Sequence, residues 1–268
     1  MNKPYKRTVR QLIDGSYSNN GNWCYLFHPE FTNDPQHYIR AFLIIQKDLI
    51  QLFEFVEPCD HNSKTISLKI HELLTRTCIE IEANFTAILN ENIYSNNKNW
   101  TLKDDFSLIE YSHKLSAYEV EIPIWKGKCN LRKPFENWKD KEIKDWHSLK
   151  WYQAYNKSKH DRHLHFDKAT FENLLDGICG LVVLLTSQFM GEDFSPNQKS
   201  MAISGPYSYN HNTEMEDAIG EFFRVKYPTN WTDEEKYDFN WLNLQKEENP
   251  ILRIDYDAIK KAYKPNIK

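Results

Sequence analysis

Residues 168–190 constrain the fold more than any other segment. Phe171, Leu174, Leu175, Ile178, Leu181, Val182 and Leu185 recur at helical spacing and leave the segment apolar nearly all round. A helix of that kind has no face to give to water, so it belongs in the middle of a bundle. Its longest apolar run, Ile178 to Leu185, falls far short of the roughly 20 residues that cross a bilayer. With 27 % charged residues and a mean hydropathy of −0.71, a multispanning membrane protein is excluded. The cover for this helix must come from the same chain.

Other segments offer it. Tyr38, Phe42, Ile45, Leu49, Leu52 and Val56 recur at steps of three and four, which predicts a helix over 35–57. Asp34-Pro35 supplies an N-cap and a proline at the first helical position, and Pro58 stops the run. Ile70, Leu74, Thr77, Cys78, Ile81, Phe85 and Ile88 predict a second helix over 64–90, with Arg76, Glu80 and Asn84 along one edge. That edge reads as a solvated rim of charge pairs, or as Glu80 or Asn84 pointing into a polar site. Further helices are expected at 102–118 and 140–163. Only 8 of 268 residues are Gly, which disfavours an all-β fold with its many turns at positive φ.

The expectation is therefore a mainly α fold, an antiparallel bundle of about five helices over 34–190. An irregular lead-in at 1–33 precedes it, and a small α+β or irregular extension at 191–268 follows. An extended piece is expected at Val120–Trp125. Within the extension, Phe222 to Tyr227 reads as a strand, Ile251–Tyr256 as its partner, and 257–263 as a short helix.

Net charge is −4, unevenly spread. Residues 1–10 carry +4 through Lys3, Lys6, Arg7 and Arg10, residues 141–168 carry +3 and four of the ten histidines, and residues 214–248 carry −6. A basic patch facing an acidic tail is one arrangement this allows. Cys24, Cys59, Cys78, Cys129 and Cys179 are widely spaced with no Cys-x-x-Cys pair, which argues against a zinc ribbon and a disulfide framework. No apolar run follows the basic N-terminus, so no signal peptide is evident and a cytoplasmic location is expected.

Chemistry concentrates in one stretch, residues 151–166. On a continuous helix Tyr152, Asn156, His160 and His163 share a face, flanked by Lys159 and Arg162. A phenol, an amide, two imidazoles and nearby cations suit metal-independent cleavage of RNA. Imidazoles move protons near neutral pH, and a cation stabilises charge developing on phosphate. A solvated or packed polar face is the plainer reading. Trp146, Trp151 and Tyr155 could stack bases, although core packing suits Trp151 better. His160, His163 and His165 with Asp161 and Asp167 invite a metal reading. His163 and His165 diverge by about 200° on a helix, however, so no metal is expected. No phosphate loop, dinucleotide fingerprint or nucleophile elbow occurs, and no cofactor is implied.

The run Tyr155-Asn156-Lys157-Ser158-Lys159-His160-Asp161-Arg162, followed by the apolar helix Asn173–Leu185, resembles the signature region of HEPN domains. The resemblance covers about residues 35–190. It implies a HEPN-like helical bundle. Many such domains are metal-independent endoribonucleases of toxin–antitoxin and phage-defence systems, and others bind RNA or nucleotides without cutting. The family motif is an Arg, four to six residues, then a His, often with a polar residue after the Arg. His160 matches the His and Asn156 the polar residue, while Tyr155 stands where the Arg does. The implied site has His160 as acid/base, Asn156 and Tyr152 as orienting groups, and Lys159 or Arg162 as the phosphate cation.

The resemblance further implies RNA or a nucleotide as partner, no membrane, and a homodimer through the bundle. The competing reading is a catalytically inactive HEPN-like module that uses the same face for dimerisation or docking. A third reading has the acidic C-terminal part covering the basic segment.

Overall fold

The computed structural model describes residues 1–96, 99–139, 148–194, 209–210 and 214–263. The fold is mainly α. Its helices are α1 (Pro35–Leu52), α2 (Leu68–Glu91), α3 (Glu110–His113), α4 (Lys150–His160), α5 (Arg162–His165), α6 (Phe171–Phe189), α7 (Trp241–Leu244) and α8 (Tyr256–Tyr263). Short strands β1 (Glu119–Glu121), β2 (Leu131–Arg132), β3 (Tyr209–Asn210), β4 (Met215–Asp217) and β5 (Arg224–Lys226) form one antiparallel sheet in the order β2-β1-β5-β4-β3.

The four long helices alternate in direction. Arg76 of α2 pairs with Asp48 of α1, and at the other end of α2 Glu91 accepts from Asn33 N, 3.1 Å away, just before α1. Between α2 and α4, Tyr152 Oη meets Glu82 at 2.8 Å while His71 lies 3.4 Å from the Ser158 carbonyl, so these two run oppositely. α2 and α6 are the parallel pair. Phe171 N donates to Thr65 O at one end, and Gln188 Nε2 donates to Asn84 Oδ1 at the other. Side-chain caps set two of these helices: Ser67 Oγ accepts from Ile70 N, and Thr170 Oγ1 from Asn173 N.

α6 is central. All of its residues except Glu172 and Asp176 are buried. Asp176 is held by Arg132 of β2 at 2.8 Å, and the Arg132 guanidinium lies over the Trp125 ring. Val120 of β1 and Val225 of β5 pair directly and are both buried, with β1 lying against α6.

The segment before α1 is irregular in backbone yet belongs to the core. Val9 N donates to Ser187 O near the end of α6, and Val9, Leu12, Tyr25 and Phe31 are buried in the same apolar cluster as Ile254 and Tyr256. Two of the four cations of residues 1–10 are buried here. Arg7 is 0 % exposed; it donates to Gln188 Oε1 and to Glu91 Oε1, both at 2.7 Å, and stacks over Tyr38. Arg10 lies over Tyr5 and Trp231, and Lys3 pairs with Glu247. The N-terminal charge therefore makes no open basic patch. Glu235 bonds Lys114 at 2.7 Å, so this acid, like Glu247, turns toward the N-terminal side of the fold rather than toward α4.

Several expectations are corrected. The helix expected at 102–118 is broken into single turns. Asp105 accepts from Thr101 N, Tyr94 and Asn96, which folds 101–105 into a turn, and Lys114 adopts φ +51 while Glu110 accepts from Ser116 N and Oγ. α1 ends at Leu52. Asp34 stands at its N-cap position with φ +44, where its carboxylate caps none of the first-turn amides. The Arg76–Glu80–Asn84 edge is not a solvated rim, because Arg76 reaches across to α1 and Asn84 is fully buried against Gln188. β5 does not pair with 251–256. Its neighbours are β1 and β4, while Leu252 bridges Tyr5, Asp255 bridges Ile93, and Ile254 N donates to Asn92 Oδ1. The helix expected from 140 starts at Lys150, and residues 140–147, with Trp146, lie outside the described residues.

Two outcomes follow from the buried polar groups. Arg7→Ala leaves the Glu91 carboxylate without its buried partner, so chemical denaturation is expected to show a loss of about 3–5 kcal/mol. The second concerns His113, whose ring is buried. Nε2 lies 2.9 Å from the Arg7 carbonyl, which can only accept, so Nε2 carries the proton and Nδ1 accepts from Ser112 Oγ. Burial, aided by Arg10 and Arg7, pushes this imidazole down to about 3. The unfolded chain takes up the proton near the ordinary value of 6.5. Stability from neutral His113 is thus complete above that pH and declines by about 1.4 kcal/mol per unit as pH falls toward 3. The fall in melting temperature from pH 7 to pH 5 is expected to be smaller in His113→Gln than in wild type.

Candidate functional site

α4 is built to be buried on one side only. Trp151, Ala154, Tyr155 and Ser158 recur at three- and four-residue steps and turn inward, whereas Gln153, Lys157, Lys159 and His160 face outward. Trp151 fixes the distance to α6. A Cβ on Gly180 would stand 3.1 Å from its Cζ2, so the indole lies directly on the α6 backbone and a side chain there would make it give by a few tenths of an ångström, while its Nε1 donates to Pro134 O at 2.9 Å. Tyr152 fixes α4 to α2 by donating to Glu82, and burial together with that carboxylate pushes its phenol up.

The helix ends at His160. Asp161 adopts φ −140 and ψ 77, and its carboxylate accepts from Leu164 N at 3.1 Å, capping α5. A short polar side chain that bonds the backbone ahead of it competes with helix continuation. His163 therefore does not continue the Tyr152–Asn156–His160 stripe. It lies on α5, and the break folds it back near His160. An open cleft of about 620 Å³ results, lined by Leu68, His160, Asp161, Arg162, His163 and Phe166. His71 backs it, its ring 5.8 Å from that of Phe166.

A second concavity lies between α2, α4 and the turn at 99–106. This groove measures about 740 Å³ and includes Glu82, Trp100, Lys103, Tyr152, Asn156 and Lys159 in its lining. Lys159 Nζ donates to Tyr155 Oη at 2.9 Å and sits 4.8 Å from that ring's centre, and the bond to Tyr155 holds the ammonium in its charged form to higher pH. Cys78 lies buried beneath, its thiol pushed up by burial.

The six residues singled out from sequence are thus divided. His160 and Arg162 line the cleft, Tyr152, Asn156 and Lys159 line the groove, and Tyr155 is buried with its hydroxyl against Lys159. Neither Glu80 nor Asn84 bonds His160, which is exposed; the α2 carboxylate that reaches α4 is Glu82. Sequence reasoning passed over Glu82, Thr86 and Asn90, although their i, i+4, i+8 spacing marks a polar stripe on α2. Trp100 and Asn99 come from a turn that periodicity does not reveal. Among the described residues no cluster of three or more His, Cys, Asp or Glu could hold a metal ion, the five cysteines are free, and no helix is long and apolar enough to cross a membrane. Compared with known proteins, the chain matches no family model, no curated protein and no solved structure.

Proposed function

We propose that the chain is a HEPN-like ribonuclease that binds RNA at the α4–α5 break and cuts it without a metal ion. One observation carries this reading: the break at Asp161 gathers two imidazoles and a guanidinium, His160, His163 and Arg162, around a single solvent-open cleft. Metal-free RNA cleavage is an internal transfer. The 2′ oxygen attacks the adjacent phosphorus, the bond to the 5′ oxygen breaks, and a 2′,3′-cyclic phosphate remains. One imidazole takes the proton of the 2′-hydroxyl and the other returns a proton to the departing 5′ oxygen. Arg162 pairs with the non-bridging oxygens as charge develops on them. In this reading Arg162 does the work of the motif arginine that Tyr155 replaces. The setting that fits the resemblance is a prokaryotic defence or stress response inside the cell.

A second reading is supported by the apolar side chains at the same place. Leu68 is 67 % exposed and Leu164 68 %, beside a cleft that Phe166 also lines. Here the bundle keeps its fold and uses this face to pair with a second copy.

Each reading has its measurement. With excess EDTA, wild type is expected to release RNA fragments ending in a 2′,3′-cyclic phosphate, and His160→Ala and His163→Ala each to do so at least about 100-fold more slowly. Equal cleavage by all three proteins, or none by any, removes the ribonuclease. For the dimer, light scattering is expected to give twice the chain mass for wild type and the single mass for Leu164→Glu. A monomeric wild type ends that idea.

A further inference from the structure

The groove between α2, α4 and the 99–106 turn has a polar wall that is mostly uncharged. Thr86 and Asn90 come from α2 one turn apart, Gln153 from α4 across the groove, and Asn99 from the turn. None of these four side chains bonds another described residue, whereas Asn84, Asn92, Asn173 and Gln188 elsewhere are all engaged. None of the four belongs to the α4 stripe expected to hold RNA. A carboxamide places donors and an acceptor side by side, and a hydroxyl both donates and accepts. Neighbouring hydroxyls on a sugar ring complement that set, because one carboxamide can bond two of them at once.

Trp100 supplies a flat surface. Its Nε1 donates to Asn96 O and its ring stands against Tyr94 and Phe106 at 5.9 and 6.3 Å, so the indole is held in one orientation at the groove. The face of an aromatic ring is electron-rich. The C–H bonds along one side of a pyranose, polarised by their oxygens, lie favourably against it. The charged groups of the lining do not make an anion site. Tyr152 donates to Glu82, Lys159 donates to Tyr155, Lys103 is likewise engaged, and no arginine is among the described lining residues. A phosphate is held best by a guanidinium or by a helix's free amides, and the Glu82 carboxylate would repel it. Glu82 is also the single carboxyl group of that lining, whereas glycoside hydrolysis takes a pair. The groove therefore suits holding a sugar, not cutting it.

We propose that this groove binds a neutral oligosaccharide, with one pyranose ring stacked on Trp100 and its hydroxyls held by Asn90, Asn99 and Gln153. The volume of about 740 Å³ lies in the upper part of the range for small-molecule sites, which suits a short chain of sugars over a single one. The site does not rest on the ribonuclease reading, and neither RNA nor a nucleotide is its ligand.

The test is calorimetric titration of the full chain with maltohexaose, cellohexaose and N-acetylchitohexaose, and with a heparin hexasaccharide as the anionic counterpart. Saturable binding with a Kd below about 1 mM is expected for at least one of the three neutral probes. Asn90→Ala and Gln153→Ala are each expected to weaken it about tenfold, the loss carried by one hydrogen-bonding side chain. Both side chains are exposed and bond no described residue, so the two variants are expected to melt with wild type. Trp100→Ala is expected to weaken binding at least as much, and Trp100→Phe, which keeps a ring face, to restore most of it. Should Trp100→Ala fail to fold, the two carboxamide variants still decide the matter. No saturable binding of any neutral probe by wild type overturns the proposal. So does binding of the heparin hexasaccharide alone, or Asn90→Ala and Gln153→Ala proteins that bind as well as wild type.

Discussion

The requirement to surround α6 governs the rest of the molecule. A helix buried on every side must be covered on every side, and three other long helices do not close around it completely. α2 and α4 form much of the cover, α1 packs on α2 behind them, and β1 adds more. Near the C-terminal end of α6 a further contact comes from Val9 of the N-terminal segment. Segments with little periodicity of their own are thus drawn into one core by the apolar demand of a single helix.

That recruitment brings charge inside. Arg7 enters the core with the N-terminal segment, where Gln188 accepts from its Nε and Glu91 from its Nη1, Tyr38 and Phe189 receive its flat face, and Nη2 is left without a hydrogen-bond partner. The same pattern recurs where Arg132 meets Asp176 over Trp125. In both places an arginine joins a helix to an irregular or extended segment. Its planar guanidinium allows bonds along its edge and stacking on its face at once.

Legibility in the sequence followed the physics of each element. α1, α2 and α6 announce themselves because a helix packed on one core repeats its apolar residues at helical spacing. The expected helix at 102–118 failed because Asp105 offers the backbone a competing partner, a feature invisible to an apolar count. The strands are two or three residues long, too short for an alternating pattern, and the pairing that joins the two ends of the sheet, Val120 with Val225, spans more than 90 positions, so no local pattern identifies it. At the candidate site, helical spacing alone runs one stripe from Tyr152 to His163. Asp161 ended it, which separated Asn156 from His163 and made two concavities from one expected face. Glu82, Thr86 and Asn90 are legible by spacing, but α2 carries a second polar edge, Arg76, Glu80 and Asn84, at the same spacing, and spacing does not say which of the two faces α4.

The pairing of early residues with late ones also sets an order of events. Tyr5 bridges Leu252, Leu12 bridges Tyr237, and Tyr237 Oη donates to Thr8 O. During synthesis α6 emerges well before the segment at 237–256 exists. Through that interval Tyr5, Thr8 and Leu12 lack the partners that hold the N-terminal segment over α6. Closure over these long sequence separations is entropically slow. A partly made chain of this design therefore exposes its most apolar helix for longer than a bundle assembled from neighbours would, and nascent chains stalled between residues 190 and 237 should be the ones most in need of a chaperone.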